Sequence, residues 1–243
     1  MDVFKLLFLG LLLFYANAAP SAVRLFVLSM DHIPTGPSSG KHDSPIWPAW
    51  WLAGDDHWNS EFDMFEGYEP DDRAFITLHN WDPELHGNCT IPENITQYYN
   101  GSGSTSKRMS QFSPRGTSLG PFNQAGGGVY AMQWDHENFI REWTFVKPNV
   151  PADLLDGNPN PNPDTWGMPN AYFPFGKNCN PETINNMYLI FDIAFCGSTA
   201  TDECKNIVRM QPEAFNETYF LINYMKVFCR PNEQCLTGIY GSG

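Results

Sequence analysis

Basic residues and long apolar runs are both scarce in this sequence. Its 243 residues include 14 Lys and Arg against 27 Asp and Glu, giving a net charge of −13 without any basic cluster. This balance argues against nucleic acids and anionic membrane surfaces as partners, because attraction to phosphate requires positive charge. After Ala18, no apolar run reaches the roughly 20 residues that a membrane-spanning helix needs. We therefore predict no nucleic-acid and no membrane partner.

Helical periodicity and metal-type cysteine spacing are also missing. No stretch keeps a helical apolar period for more than about two turns, and the sequence has no Cys-x-x-Cys pair of the kind found in zinc ribbons. What it has instead is 15% aromatic residues, 20 Gly and 20 Pro. Short β-branched or aromatic runs alternate with turn residues, and the runs that we interpret as strands are 25–30, 62–65, 74–79, 129–134, 139–145, 187–195 and 219–228.

This pattern predicts an all-β protein built as an antiparallel sandwich or barrel. Two segments fall outside it. Residues 88–123 are polar and rich in Gly and Ser, and residues 158–164 are rich in Asn and Pro. We predict that both are exposed loops, since neither composition suits the interior of a sheet.

The first 18 residues have the layout of a secretory signal peptide. Lys5 precedes an apolar run that ends in the small residues Ala16-Asn17-Ala18. We predict cleavage after Ala18, a domain over residues 19–243, and secretion into the extracellular space. The alternative is that this segment is a buried N-terminal strand or helix.

Cysteines and glycosylation sequons agree with export. The cysteines are even in number, which permits up to three disulfides of undetermined pairing: Cys89, Cys179, Cys196, Cys204, Cys229 and Cys235. Sequons predict N-glycosylation at Asn88, Asn94, Asn100 and Asn216.

Residues 47–81 carry most of the functional signal. Four Trp fall within residues 47–58, and the carboxylates Glu61, Asp63 and Glu66 follow. In a strand, side chains alternate between the two faces, so strict alternation would put Glu66 among the apolar residues. Burying a lone carboxylate there is costly. One inserted residue near Met64 and Phe65, a β-bulge, would turn Phe65 inward and return Glu66 to the acidic face.

Three carboxylates on one face suit glycoside hydrolysis. That reaction needs one ionised carboxylate and one protonated acid, and neighbouring like charges raise the pKa of at least one member. The Trp-rich flank supplies flat faces on which sugar rings can stack. A solvated acidic strand with the Trp in the core is one alternative, and a calcium site is another.

These residues resemble glycoside hydrolase family 16. Glu61-Phe-Asp63-Met-Phe-Glu66 matches the bulged E-x-D-x-x-E motif of its laminarinase-like members. The similarity to fungal-type endo-1,3(4)-β-glucanases extends over roughly residues 25–228, through the runs WPAWWLAG, ITLHNW, GGGVYAMQW, IREWTF, WGMPNAYFP, NNMYLIFDIAFCG and FNETYFLINYMKVF. The resemblance implies a β-jelly roll of two antiparallel sheets, similar to concanavalin A, with a cleft across the concave face.

The resemblance also implies roles for individual residues. Glu61 is expected to be the nucleophile, Glu66 the general acid/base and Asp63 the assisting carboxylate. His79 is expected beside the acid/base. The tryptophans expected to line the sugar subsites are Trp51, Trp58, Trp81 and Trp134, whereas apolar neighbours favour core positions for Trp47 and Trp50.

The resemblance further implies a secreted, monomeric, retaining enzyme that acts on β-glucan without a cofactor or catalytic metal. A non-catalytic glucan-binding protein and a cell-wall transglycosylase are the alternatives. Glu61 lies closer to the predicted cleavage site than the catalytic strand does in the family, so we expect the opening strands of the jelly roll to be absent. Unpaired sheet edges would follow from their absence.

Overall fold

The structure is a computed structural model. It describes residues 23–37, 45–54, 60–67, 71–90, 109–155, 158–197 and 201–230 in full, and the backbone alone of residues 4–6, 12–16, 103–105, 108 and 238–241. The strands are β1 Phe4–Leu6, β2 Leu12–Ala16, β3 Val23–His32, β4 Ile46–Gly54, β5 Ser60–Glu66, β6 Phe75–Asn80, β7 Gly103–Thr105, β8 Arg108–Phe112, β9 Gly128–Asp135, β10 Phe139–Val146, β11 Ala171–Pro174, β12 Met187–Phe195, β13 Phe220–Cys229 and β14 Gly238–Gly241.

Helices are short and few in the described part of the chain. The α-helices are α1 Pro83–His86, α2 Leu119–Gln124 and α3 Asp202–Met210. Single 3₁₀ turns cover Ala152–Leu154, Pro163–Thr165, Pro181–Thr183 and Pro212–Phe215. None of the described helices has the length and apolarity needed to cross a membrane.

Two antiparallel sheets form the fold, as predicted. One has the strand order β1-β13-β3-β9-β10-β11, and the other has the order β14-β2-β12-β4-β5-β6-β8-β7. The main apolar core lies between them and includes Phe26, Trp50, Phe62 and Leu189. A smaller cluster around Trp143 and Trp166 covers the outer face of the first sheet. The second sheet therefore has one face in the core and one face left for a site.

The predicted strands all occur, but the prediction of one exposed loop over residues 88–123 is wrong. Strand β8 pairs with β6 in the second sheet, and it buries Met109 and Gln111. Helix α2 buries Leu119 and Phe122. Met109, Leu119 and Phe122 are isolated within a polar sequence, and only their tertiary partners bring them into the core.

The segment that has the composition of a signal peptide pairs with both sheets. β1 pairs with β13, and β2 lies between β12 and β14. The edges of β12 and β13 are thus occupied by strands of this chain, in contrast to the expected open edges. Cleavage after Ala18 remains a prediction.

One disulfide joins residues that are far apart in sequence, and another closes a short loop. Cys89 is bonded to Cys179 and Cys196 to Cys204. Cys229 is also disulfide-bonded, whereas Cys235 lies outside the described residues. Of the sequon asparagines, Asn88 and Asn216 are exposed, and Asn94 and Asn100 lie outside the described residues.

Candidate active site

A bulge in β5 places the three carboxylates on one face of the second sheet. Trp50 pairs with Phe65 and Trp51 pairs with Asp63, so Met64 is the extra residue on β5. Met64 and Phe65 are both fully buried in the core. The shifted register returns Glu66 to the face that carries Glu61 and Asp63, as the sequence predicted.

The pairing of β5 with β4 and β6 determines which residues lie beside each carboxylate. Glu61 lies between Ala53 of β4 and His79 of β6 in one cross-strand row. Glu66 lies in another row between Ala49 of β4 and Phe75 of β6. Both alanines are small and buried, so the acids have only methyl groups as direct neighbours on β4.

Glu66 is a carboxyl group of this face that can hold a proton at neutral pH. Burial, reinforced by the charge of Asp63, raises the pKa of Glu66 to about 8. The Trp47 indole opposes this rise, because its Nε1 donates a hydrogen bond to Glu66 Oε1 at 2.7 Å. A carboxyl group that is protonated at neutral pH can act as a general acid.

Asp63 lies between the two glutamates and is nearly inaccessible to solvent. Burial, followed by the charge of Glu61, raises the pKa of Asp63 well above its ordinary value, and a hydrogen bond with Glu66 works in the opposite direction. Asp63 and Glu66 thus both have pKa values above their ordinary range, for the same main reason, burial. Glu61 is more accessible, with 25% of its side chain exposed.

His79 lies beside Asp63 and Glu61 rather than directly on the acid/base. Its Nε2 is 3.0 Å from Asp63 Oδ2 and 3.7 Å from Glu61 Oε1. The His79 ring stacks on Trp81 with 4.9 Å between ring centroids. Trp81 in turn donates a hydrogen bond from Nε1 to Glu61 Oε2 at 3.2 Å. This group orients the carboxylate expected to be the nucleophile.

The tryptophans divide differently from the sequence prediction. Trp50 is buried in the core as predicted. Trp47 does not belong to the core, because its indole reaches Glu66 on the cleft face. Trp134 was expected to contact substrate, but only 1% of it is exposed and it packs inside the core. Trp58 lies outside the described residues.

Trp51 and Trp81 are the two predicted subsite tryptophans that the structure places on the cleft face. Trp51 lies in the same cross-strand row as Asp63, and 45% of Trp81 is exposed. Both can therefore offer apolar surface to a sugar ring.

A fourth carboxylate, Asp192, was not anticipated from the sequence. It lies on β12 opposite Ala49, so it faces Glu66 across a small side chain. Burial raises the pKa of Asp192 to about 6, and interaction with the Trp51 side chain opposes this rise. Asp192 also contributes to the raised pKa of Asp63. A signal was present in the sequence, because an acid interrupts the apolar run MYLIFDIAF.

The same residues have the spacing of metal ligands. Donor atoms of Glu61, Asp63 and His79 all lie within 4.8 Å of one another. Each of these residues already contacts another member of the group or Trp81. The trio therefore has internal partners, and a cation bound there would occupy the atoms that a sugar must reach.

Comparison with known proteins places these residues in a family. Residues 19–228 match the XgeA-like catalytic domain of glycoside hydrolase family 16. A probable endo-1,3(4)-β-glucanase of Neosartorya fischeri is 31% identical over 223 residues, which cover 84% of this chain and 33% of that protein. A probable glycosidase of Schizosaccharomyces pombe is 30% identical, with 84% of this chain and 50% of that protein covered. The chain thus spans between a third and a half of the length of these curated relatives.

Solved structures agree with the fold. Laminarinase 16A from Phanerochaete chrysosporium, solved with β-glucans in donor and acceptor sites, has a TM-score of 0.71 and 26% identity over 87% of this chain and 74% of its own. An elongating family 16 β-1,3-glucosyltransferase has a TM-score of 0.70 and 26% identity over 88% of this chain and 73% of its own. The two-sheet jelly roll, the bulged acidic strand and the match over residues 19–228 lead to one conclusion: this chain belongs to glycoside hydrolase family 16 and carries an XgeA-like catalytic domain.

Proposed function

We propose that this chain is a secreted, retaining endo-β-glucanase that hydrolyses 1,3- or mixed 1,3(4)-β-glucan by double displacement. The observation that carries the proposal is the bulge in β5, which presents Glu61 and a protonated Glu66 on one open face. Curated relatives named as endo-1,3(4)-β-glucanases support the substrate class. The disulfides support an extracellular site of action.

In the first step, a Glu61 carboxylate oxygen attacks the anomeric carbon of the sugar. The bond from that carbon to the leaving oxygen breaks, and Glu66 gives its proton to that oxygen. A covalent glycosyl-Glu61 ester results, and the leaving chain departs with a free hydroxyl group.

In the second step, Glu66 acts as a base. Its carboxylate takes a proton from water, the water oxygen attacks the anomeric carbon, and the bond to Glu61 breaks. The product keeps the β configuration, and both glutamates return to their starting protonation states. Trp81 and His79 hold Glu61 in position for both steps, while Asp63 assists by its contact with Glu66.

Transglycosylation is the second candidate, because a family 16 β-1,3-glucosyltransferase is among the structures most similar to this chain. It uses the same first step, and a sugar hydroxyl then replaces water in the second. Products longer than the starting oligosaccharide would identify this reaction.

The decisive experiment measures reducing-sugar release from laminarin and from mixed-linkage β-glucan. We expect Glu61→Gln and Glu66→Gln to abolish release, and we expect the first product detected by NMR to be the β anomer. Glu137→Gln is the matched control, since Glu137 is an exposed residue in the turn between β9 and β10. Unchanged activity in both active-site variants would refute the proposed double displacement by Glu61 and Glu66. Glucan binding without hydrolysis by the folded wild type would favour the non-catalytic alternative.

A further inference from the structure

The Trp47 indole is in contact with two parts of the chain that are far apart in sequence. Its Nε1 donates to Glu66 Oε1. Its six-membered ring lies against Gly197, where an added Cβ would be 2.9 Å from Cε3 and 3.3 Å from Cδ2. The Trp47 indole is therefore held at two points: its ring packs against the Gly197 backbone, and its N–H is hydrogen-bonded to the Glu66 carboxyl group.

A disulfide and a backbone hydrogen bond fix the position of the chain at Gly197. It follows Cys196, which is bonded to Cys204. The Cys196 backbone N–H donates to the Pro45 carbonyl at 3.0 Å, immediately before the strand that carries Trp47. Cys196 has φ +64° and Gly197 has φ +48°, so the chain makes a left-handed turn that brings the Gly197 backbone close to the indole.

We propose that Gly197 is a positioning residue for catalysis: the turn closed by the Cys196–Cys204 disulfide fixes the Trp47 indole, and the indole N–H fixes the Glu66 carboxyl group. The inference depends on the proposed role of Glu66 as acid/base. No other side chain fits at this point without moving the ring, because contacts under 3.0 Å at a Cβ require one group to shift.

Moving the indole has a defined effect on proton transfer. Trp47 stabilises the ionised form of Glu66, whereas burial and the charges of Asp63 and Glu61 favour the protonated form. His79 favours the ionised form, and Asp192 faces Glu66 from β12. Loss of the Trp47 hydrogen bond leaves the opposing effects in place, so the pKa of Glu66 must rise.

The test is Gly197→Ala, measured as kcat and as the pH dependence of kcat/KM on laminarin. We expect kcat to fall on the order of tenfold, since displacing a catalytic group by a fraction of an ångström is costly. The alkaline limb should move up by about one pH unit, the scale of a lost hydrogen bond to a charged group. Gly126→Ala is the matched control. It adds a Cβ at another positive φ, +81°, but with no described atom within 4 Å of it.

A second pair of variants shows whether the effect passes through the indole. Trp47→Phe keeps a ring beside Gly197 but removes the donor, so it should raise the alkaline limb by itself. Gly197→Ala in that background should move the limb no further. If Gly197→Ala does not fold, the double variant Cys196→Ser/Cys204→Ser releases the same turn and should show the same dependence on Trp47.

The inference is overturned if the folded Gly197→Ala protein keeps the wild-type alkaline limb, or if its shift persists undiminished in the Trp47→Phe background. It is also overturned if opening the disulfide leaves the limb in place. Failure of the proposed function looks different, because Glu66→Gln would then retain activity whatever Gly197→Ala does.

Discussion

The first sheet contains a buried carboxyl group, that of Glu142, which should make the stability of the folded protein depend on pH. Glu142 lies on β10 and is fully buried, and among the described residues neither of its carboxylate oxygens has a hydrogen-bond partner. Burial alone raises the pKa of Glu142 well above its ordinary value. The folded protein therefore holds Glu142 neutral under conditions in which the unfolded chain releases its proton.

The sign of the effect on stability follows from proton linkage. Above the unfolded-state pKa of about 4.3, the native state binds one more proton than the unfolded state, so the free energy of unfolding falls as pH rises. The loss is up to about 1.4 kcal/mol per pH unit and continues until the folded-state pKa is reached. Below about pH 4, the stabilisation from the neutral group is fully present.

Glu142→Gln removes this ionisation and keeps a similar shape. We expect its free energy of unfolding to decline less than that of the wild type between about pH 5 and about pH 7, measured by urea unfolding followed by Trp fluorescence. Asp63 and Glu66 add slopes of the same sign, because their pKa values are also raised. These slopes occur in both proteins and cancel in the difference.

Glu137→Gln is again the control, since Glu137 is exposed and its substitution should leave the pH dependence unchanged. The Glu142→Gln substitution itself places an amide in the core, so the absolute stability of the variant carries no information here. Parallel pH profiles for wild type and Glu142→Gln would refute the reasoning.

Three further predictions follow from the second sheet. Trp81→Phe keeps the ring beside His79 but removes the donor to Glu61, and kcat on laminarin should fall about fivefold; an unchanged kcat would show that this hydrogen bond does not orient Glu61. Asp192→Asn removes the charge that interacts with Trp51, and KM should rise about tenfold, whereas an unchanged KM would exclude a role in holding Trp51. A chain begun at Ala19 lacks the β2 partner of β12 and should melt at a lower temperature than the full chain, whereas equal melting temperatures would show that β2 adds no stability. N-terminal sequencing of the protein isolated from expressing cells and from their medium would show which form exists.

Local pattern was sufficient for seven of the strands, namely β3, β5, β6, β9, β10, β12 and β13, and for the bulge in β5. Alternation around Phe62 and the cost of burying Glu66 predicted the inserted residue, and the pairing of Trp50 with Phe65 shows it at Met64. Strand β12 was predicted over its full length, Met187–Phe195. In these places, the residues next to each other in sequence determine which face each side chain occupies.

Residues whose position depends on distant partners were not predictable in the same way. Trp47 has apolar neighbours in sequence, but its indole reaches a carboxyl group 19 residues away. Trp134 is of the residue type that lines sugar subsites, yet the pairing of β9 with β3 and β10 turns its side chain into the core. Strand β8 lies in a polar segment and is recognisable only from its pairing with β6.

The tryptophans of the cleft do more than offer flat surfaces to sugar rings. Trp81 contacts Glu61, Trp47 contacts Glu66, and Trp51 interacts with Asp192. An indole N–H is only a donor, so it favours the ionised carboxylate and can never accept the proton. At Glu66, this influence opposes burial and keeps the pKa at about 8 rather than higher. A general acid works best when its pKa is near the operating pH. With Glu66 in its proposed role, we therefore expect the Trp47 indole to influence the pH range of activity as well as the geometry of the cleft.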